Sequence, residues 1–290
     1  MTATDLMFPA SLHAAAKINL FLRITGKRTD GYHTLESGVV FTEFGDRITI
    51  NRAAADKICL TGPFAGDLMK DSGDNICASC LAKFRQAGGV VEPLKIVIEK
   101  NIPVGAGLGG GSSDAAALLR HLNQHATTPL SPDALYRLAL HLGADVPVCL
   151  NMASAHMSGI GEIISPLAVK NAGSILLANP GRALATGDVF KSLTDADMTG
   201  DRLASHLPPD GATPSELARY GNDLLTPACQ LMPEIETLLT TLAGQEGADT
   251  VGMSGSGATC FAIYSSRTAC EAAAGQLLAK NIWAVATRII

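Results

Sequence analysis

The sequence predicts an α+β fold, on three observations. Segments with a two-residue apolar period and segments with a helical period both occur, but they do not alternate as regular βαβ units. Two of the strands are plain from side-chain pattern: AAAKINLFLRI (14–24) alternates cleanly and LKIVIEK (94–100) is β-branched. The texture then changes after about residue 165, where a strand, a polar stretch, helices and a strand–turn–strand follow one another. These features divide the chain into an N-terminal domain over 1–165 and a C-terminal domain over 166–290.

Each element has its own warrant. In the first strand Ile18, Leu20, Leu22 and Ile24 share one face, and Lys17, Asn19, Phe21 and Arg23 share the other. TGKRTDGYH (25–33) is a turn-rich loop, and short strands are expected near 38–42, 46–52 and 57–61. Residues 74–87 read as a helix that starts near Asp74 or Asn75 and stops at Gly88-Gly89. Helices are expected over about 113–125 and 132–142, the second closing at Gly143, with Pro147 opening an apolar strand after it. Farther on, SILLANP is a strand, 193–215 is loop or weak helix, and 223–243 is helical. The strand–turn–strand DTVGMSGSGATCFAIYSS, a helix over 268–279 and a final strand, WAVATRII, complete the chain.

Composition narrows the function classes. The 290 residues are 47% hydrophobic and 17% charged, with formal net charge −5, which suits a core-forming globular protein. No Lys/Arg run is present, so nucleic-acid affinity has no electrostatic basis. The N-terminus lacks a secretory pattern and no apolar stretch is long enough for a membrane span, so a cytoplasmic, soluble protein without a membrane partner is expected. Seven scattered cysteines fit reduced thiols. Cys77 and Cys80 form a CxxC with no second zinc-spaced pair, and are read as structural residues of one helix.

The chemistry concentrates in PVGAGLGGGSSDAAALL (103–119). Gly105-x-Gly107-x-x-Gly110 matches the dinucleotide fingerprint, but Asn101–Val104 separate it from its strand and no acidic residue follows at the required distance. The segment nearly matches a P-loop as well, except that Gly111 stands where the lysine belongs. An anion is still favoured. Glycines let backbone N–H groups approach closely, Ser112 and Ser113 suit an N-cap, and the following helix points its positive end at the turn.

Either the loop is not a nucleotide site, or the missing cation comes from elsewhere in the chain. Lys17 either faces a pocket or lies on the wet face of an edge strand, and the pattern leaves both open. Asp145, between a helix stop and an apolar run, either caps a turn or serves as an ionised base. Tyr32 and His33 form either an ordinary surface loop or a stacking and hydrogen-bonding pair. His121 and His125 lie at i, i+4 without a metalloprotease glutamate, and are expected on a solvent-facing helix end.

Three blocks in order, AKINLFLRITGKRTDGYH, IPVGAGLGGGSSDAAALL and GMSGSGATCFAIY, resemble the GHMP kinases (galactokinase, homoserine kinase, mevalonate kinase and phosphomevalonate kinase). The likeness runs from about residue 14 to 265, and GADVPVCL and GNDLLTPA extend it. The resemblance implies an N-terminal domain like domain 2 of ribosomal protein S5, a ferredoxin-like C-terminal domain, and a site in the cleft between them. It also implies ATP-dependent phosphorylation of a small-molecule alcohol with Mg²⁺ as the expected metal, and through TDGYH an acceptor that carries a diphosphocytidyl group. Lys17 and Asp145 match the family's catalytic pair. Pro103, Val104, Gly105, Ala106, Gly107, Leu108, Gly109, Gly110, Gly111, Ser112 and Ser113 match its ATP phosphate loop, and Asn75 and Lys100 fall by the adenine. Tyr32 and His33 match residues that recognise cytosine, with Phe190 as second aromatic of the stack and Thr186 and Asn19 beside the acceptor. A homoserine- or mevalonate-type kinase, or a non-catalytic nucleotide sensor of the same fold, are the alternatives.

Overall fold

The structure is a computed structural model that describes residues 8–66, 75–198, 200 and 207–290. The mixed α+β class holds. Two compact units interleave along the chain: Met1–Ala16, Gly45–Val104 and Gly109–Asn151 make the first, and Lys17–Phe44, Gly105–Leu108 and Met152–Ile290 the second.

The first unit is a sheet covered by helices. It takes the start of β1 (Ala10–Lys27) and the end of β2 (His33–Arg52), then β3 (Lys57–Thr61), α1 (Ile76–Gln86), β4 (Leu94–Glu99), α2 (Gly110–His125), α3 (Pro132–Leu142) and α4 (Val146–Asn151). β2 pairs antiparallel with β4 from Arg47↔Glu99 to Arg52↔Leu94, and β3 lies parallel on the other edge of β4. Ile48, Ile50, Ile96 and Ile98 are buried with Phe84, Leu118 and Leu119 of the helices. That is the pattern of a half-covered sheet whose inward positions alternate.

Two expectations fail here for identifiable reasons. β2 is one strand where two short ones are expected, because Gly45 is a contact position and not a break. A Cβ on Gly45 would lie 2.2 Å from the Ala14 carbonyl oxygen, so glycine lets the β1 backbone approach. The apolar run after Asp145 is the helix α4, not a strand. Val146, Pro147, Val148 and Cys149 are all buried, and an apolar run this short has no readable period. An early proline suits a helix start.

The second unit carries β5 (Ala155–Gly159) and β6 (Ile163–Pro166) beside the first half of β2. It continues through β7 (Ser174–Asn179), α5 (Thr186–Lys191), α6 (Pro214–Ala218), α7 (Leu225–Leu231), α8 (Glu234–Ala243), β8 (Ala248–Met253), β9 (Cys260–Tyr264), α9 (Arg267–Leu278) and β10 (Trp283–Arg288). β7–β10 form an antiparallel sheet in the order β10-β7-β9-β8, the ferredoxin-like arrangement. Ile235, Leu238 and Leu242 of α8 and Cys270, Ala273 and Leu277 of α9 pack with its buried face. The helix expected over 223–243 is divided between α7 and α8 at Met232-Pro233, where Met232, at φ −143° and ψ 84°, leaves the helical region, as a residue before proline tends to. Part of the polar stretch 193–215 lies outside the described residues.

Candidate active site

The glycine turn has a regular backbone logic. Gly105, Gly107 and Gly109 have φ of 61°, 73° and 63°, so every second residue is left-handed. Alternation of this kind turns successive N–H groups toward one side and makes an anion-binding concavity. α2 begins at Gly110 with Gly109 as its N-cap, so Ser112 and Ser113 are inside the first turn and not caps as expected. Glycine supplies the left-handed entry that a capping serine would not adopt without strain. The N–H groups of Gly110, Gly111 and Ser112 begin the helix and have no intrahelical carbonyl before them. The Ser113 hydroxyl donates to Cys149 Sγ at 3.5 Å.

Within the second unit, the middle of the loop is tied to β1 and to the turn between β8 and β9. The Lys17 backbone N–H donates to Leu108 O at 2.9 Å. The Ser254 hydroxyl donates to Gly107 O and accepts from the Asn19 N–H. Thr259 N–H donates to Ala106 O. A Cβ on Gly107 would lie 2.3 Å from Ser254 O, a backbone atom that cannot swing away. Gly107→Ala is therefore expected to destabilise the protein by more than ~1 kcal/mol and to weaken ATP binding. Differential scanning fluorimetry and ATP titration check it, and an unchanged midpoint and affinity would refute it.

Lys17 is buried, only 3% exposed, which removes the wet-edge alternative. Its Nζ donates to Asn19 Oδ1 at 3.0 Å, Asn19 Nδ2 donates to Ser37 Oγ at 2.7 Å, and Ser37 donates to Phe21 O. The amide is thus fixed with its oxygen toward the ammonium. Asp145 is half-buried in the first unit, between α3 and α4, and its carbonyl accepts the Cys149 N–H.

His33 and Phe190 come together, with ring centroids 5.6 Å apart and planes at 31°. The ring beside Phe190 is thus that of His33, while Tyr32 is 62% exposed. Burial, then the charge of Lys27, holds the His33 imidazole below its ordinary pKa, which favours the neutral ring at physiological pH. Thr186 Oγ1 is 2.8 Å from Ser256 Oγ in the β8–β9 turn.

Asn75 is the N-cap of α1, its side-chain oxygen accepting the Cys77 N–H. Cys77 and Cys80 are buried on that helix, and burial pushes the Cys80 thiol up to about 12, so the CxxC is structural. Lys100 is buried, with its ammonium on the carboxylates of Asp46 and Asp114. His121 is buried and not on a solvent-facing helix end. Burial, then the neighbouring His125, pushes its imidazole down to about 4.

Ser37, Ser254, Ser256 and Asn222 carry no signature of their own in the sequence. Asn222 donates from Nδ2 to Met253 O and Gly255 O, and Asp223 accepts the Ile24 N–H. The signal was in the blocks GMSGSGATCFAIY and GNDLLTPA, whose small and amide residues hold the turn against the loop.

Residues 75–152 match the family model of the GHMP kinases N terminal domain, and 210–282 match that of the GHMP kinases C terminal. The chain is 44% identical to the 4-diphosphocytidyl-2-C-methyl-D-erythritol kinase of Agrobacterium fabrum, over 92% of this chain and 91% of that one. The chain belongs to the GHMP kinase family, among its 4-diphosphocytidyl-2-C-methyl-D-erythritol kinases. A second such relative, from Gluconacetobacter diazotrophicus, is 41% identical over 91% of the chain and 90% of its own length. A crystal structure of 4-(cytidine 5'-diphospho)-2C-methyl-D-erythritol kinase superposes with a TM-score of 0.81 at 30% identity, covering 97% of this GHMP kinase and 99% of that chain. Membership makes ATP the co-substrate. No helix among the described residues is long and apolar enough to cross a membrane.

Proposed function

We propose that this GHMP kinase transfers the γ-phosphoryl group of ATP to the 2-hydroxyl of 4-diphosphocytidyl-2-C-methyl-D-erythritol, a step of the non-mevalonate route to isoprenoids. The observation that carries the reading is the 44% identity to a kinase of that name over 92% of the chain. The His33–Phe190 ring pair supports it, because a cytosine needs a flat apolar face and a polar edge.

The roles follow from side-chain chemistry. Asp145 accepts the proton of the acceptor hydroxyl as its oxygen attacks phosphorus. Lys17, fixed by Asn19, offsets negative charge on the phosphoryl group in transit. The loop from Pro103 to Ser113 receives the ATP phosphates on backbone N–H groups, and the start of α2 adds its positive end. His33 reads the cytosine edge, Phe190 and Tyr32 supply ring surface, and Asn19 and Thr186 face the acceptor. Asn75 borders the adenine. Mg²⁺ would be held by phosphate oxygens, with the Ser112 hydroxyl in the first turn of α2 as a protein ligand. It supplies charge neutralisation when bound. Seven cysteines that form no disulfide among the described residues, and the use of ATP, suit the cytoplasm.

Competing acceptors in one ATP-consumption assay test the reading. The diphosphocytidyl alcohol should be phosphorylated on its 2-oxygen, as read by ³¹P NMR, and homoserine and mevalonate should not. Turnover of either of those without the diphosphocytidyl substrate would overturn it.

A further inference from the structure

Three charged side chains lie buried in the first unit, beside the residues that enter and leave the glycine loop, and the proposed chemistry uses none of them in this arrangement. Lys100 follows β4, Asp46 lies on β2 and Asp114 lies one turn into α2. Their side chains are 4%, 0% and 4% exposed. The Lys100 ammonium donates to Asp46 Oδ2, and to Asp114 Oδ2 at 2.5 Å. The other Asp46 oxygen accepts the N–H groups of Asn101 at 2.6 Å and Ile102 at 2.8 Å, the residues just before Pro103. Asp114 Oδ1 is buried without a hydrogen-bond partner.

Stability alone is a poor reason for such a cluster. Two carboxylates and one ammonium leave a formal charge of −1 in the interior, and well-packed apolar residues of similar volume commonly hold elements together at least as well. Position explains it better. Asp46 grips the strand side of the loop through two backbone N–H groups, and Asp114 grips the helix side, both on one lysine. Gly110, the first residue of α2, packs on the same group, since its Cβ would fall 3.1 Å from Ile102 and 3.6 Å from Asp46 Oδ2.

We infer that Asp46, Lys100 and Asp114 form a buried clasp that fixes the two ends of the glycine loop, and with them the geometry in which it receives the ATP phosphates. Lys100 is then a positioning residue that acts through the loop, not a reader of adenine. The electrostatics agree. Burial raises the Asp114 carboxyl to about 7, with Lys100 opposing and Asp46 adding, so a proton near neutrality relieves the net negative charge of the cluster.

The inference rests on the proposed phosphate role of the loop. The test therefore compares ATP with inorganic tripolyphosphate, which has phosphates but no base, by calorimetry on the full chain. Asp114→Ala leaves the Lys100–Asp46 pair balanced and removes only the helix-side grip. It is expected to weaken both ligands together, about tenfold each. Asp114→Asn, which keeps an oxygen for Lys100, should restore both to within about threefold of the parent. The KM for ATP should follow these changes, while the KM for the alcohol does not. Weakening of ATP with unchanged tripolyphosphate binding would assign Lys100 to the adenine and overturn the clasp. A lower melting temperature with both affinities unchanged would make the cluster merely structural and also overturn it. Should Asp114→Ala fail to fold, the double variant Lys100→Gln/Asp114→Asn removes both charges of the helix arm and carries the same readouts. If the parent protein binds ATP but not tripolyphosphate, the phosphate role of the loop falls first and the clasp falls with it. That outcome differs from loss of the effect in the variants alone.

Discussion

Asp145→Asn is expected to leave ATP affinity within about threefold and to lower kcat by ~10²–10⁴, the usual share of a positioned general base. The amide is nearly isosteric with the carboxylate but takes no proton at neutral pH. The site should keep its shape, because backbone hydrogen bonds and buried neighbours hold the chain there. Val146 N–H donates to Gly143 O, Cys149 N–H donates to Asp145 O, and Val146–Cys149 are buried around them. ATP titration and single-turnover phosphorylation separate binding from chemistry. A single-turnover rate within threefold of the parent would remove Asp145 from the mechanism.

Local pattern revealed as much of this site as local pattern determines. The alternation of 14–24 located β1, and the glycine spacing located a turn whose backbone suits an anion. The absence of a lysine at Gly111 left two readings, a loop that holds no nucleotide or a cation from another segment. Distant partners were not legible. Alternation placed Lys17 on one face of β1, but Phe21 and Asn19 beside it are buried too, so period alone could not tell a covered face from a wet one. Lys100 meets Asp46, 54 positions away, and no spacing rule pairs them. Ser112 and Ser113 drew the cap assignment because serine caps helices, yet the left-handed entry at Gly109 decided the start of α2. The interleaving of the units is a tertiary fact as well, since Gly105–Leu108 group with Lys17–Phe44 and Met152–Ile290 and not with their neighbours.

Lys17→Met is expected to fold normally and to lose at least about a hundredfold in kcat, with the KM for ATP changed less than tenfold. Methionine fills much of the lysine stem's volume and adapts to irregular packing, so the apolar surroundings of residue 17 stay filled. The loop should survive, because the backbone N–H of residue 17, not its side chain, holds Leu108 O. The amide of Asn19 loses its donor but keeps Ser37, so the local network is trimmed and not dismantled. What disappears is a positive charge already desolvated and aimed, and a charge in that state does more for a developing anion than one that must first shed water. Lys17→Arg should not restore the rate, because a broad planar fork does not reproduce a compact ammonium in a buried position. Thermal melting, ATP titration and single-turnover rates on the two variants decide the matter. Full activity in Lys17→Met would show that the buried ammonium is structural and that the catalytic cation lies elsewhere. Loss of ATP binding equal to the loss of rate would make Lys17 a ground-state contact to the nucleotide, with no selective action on the transferring group.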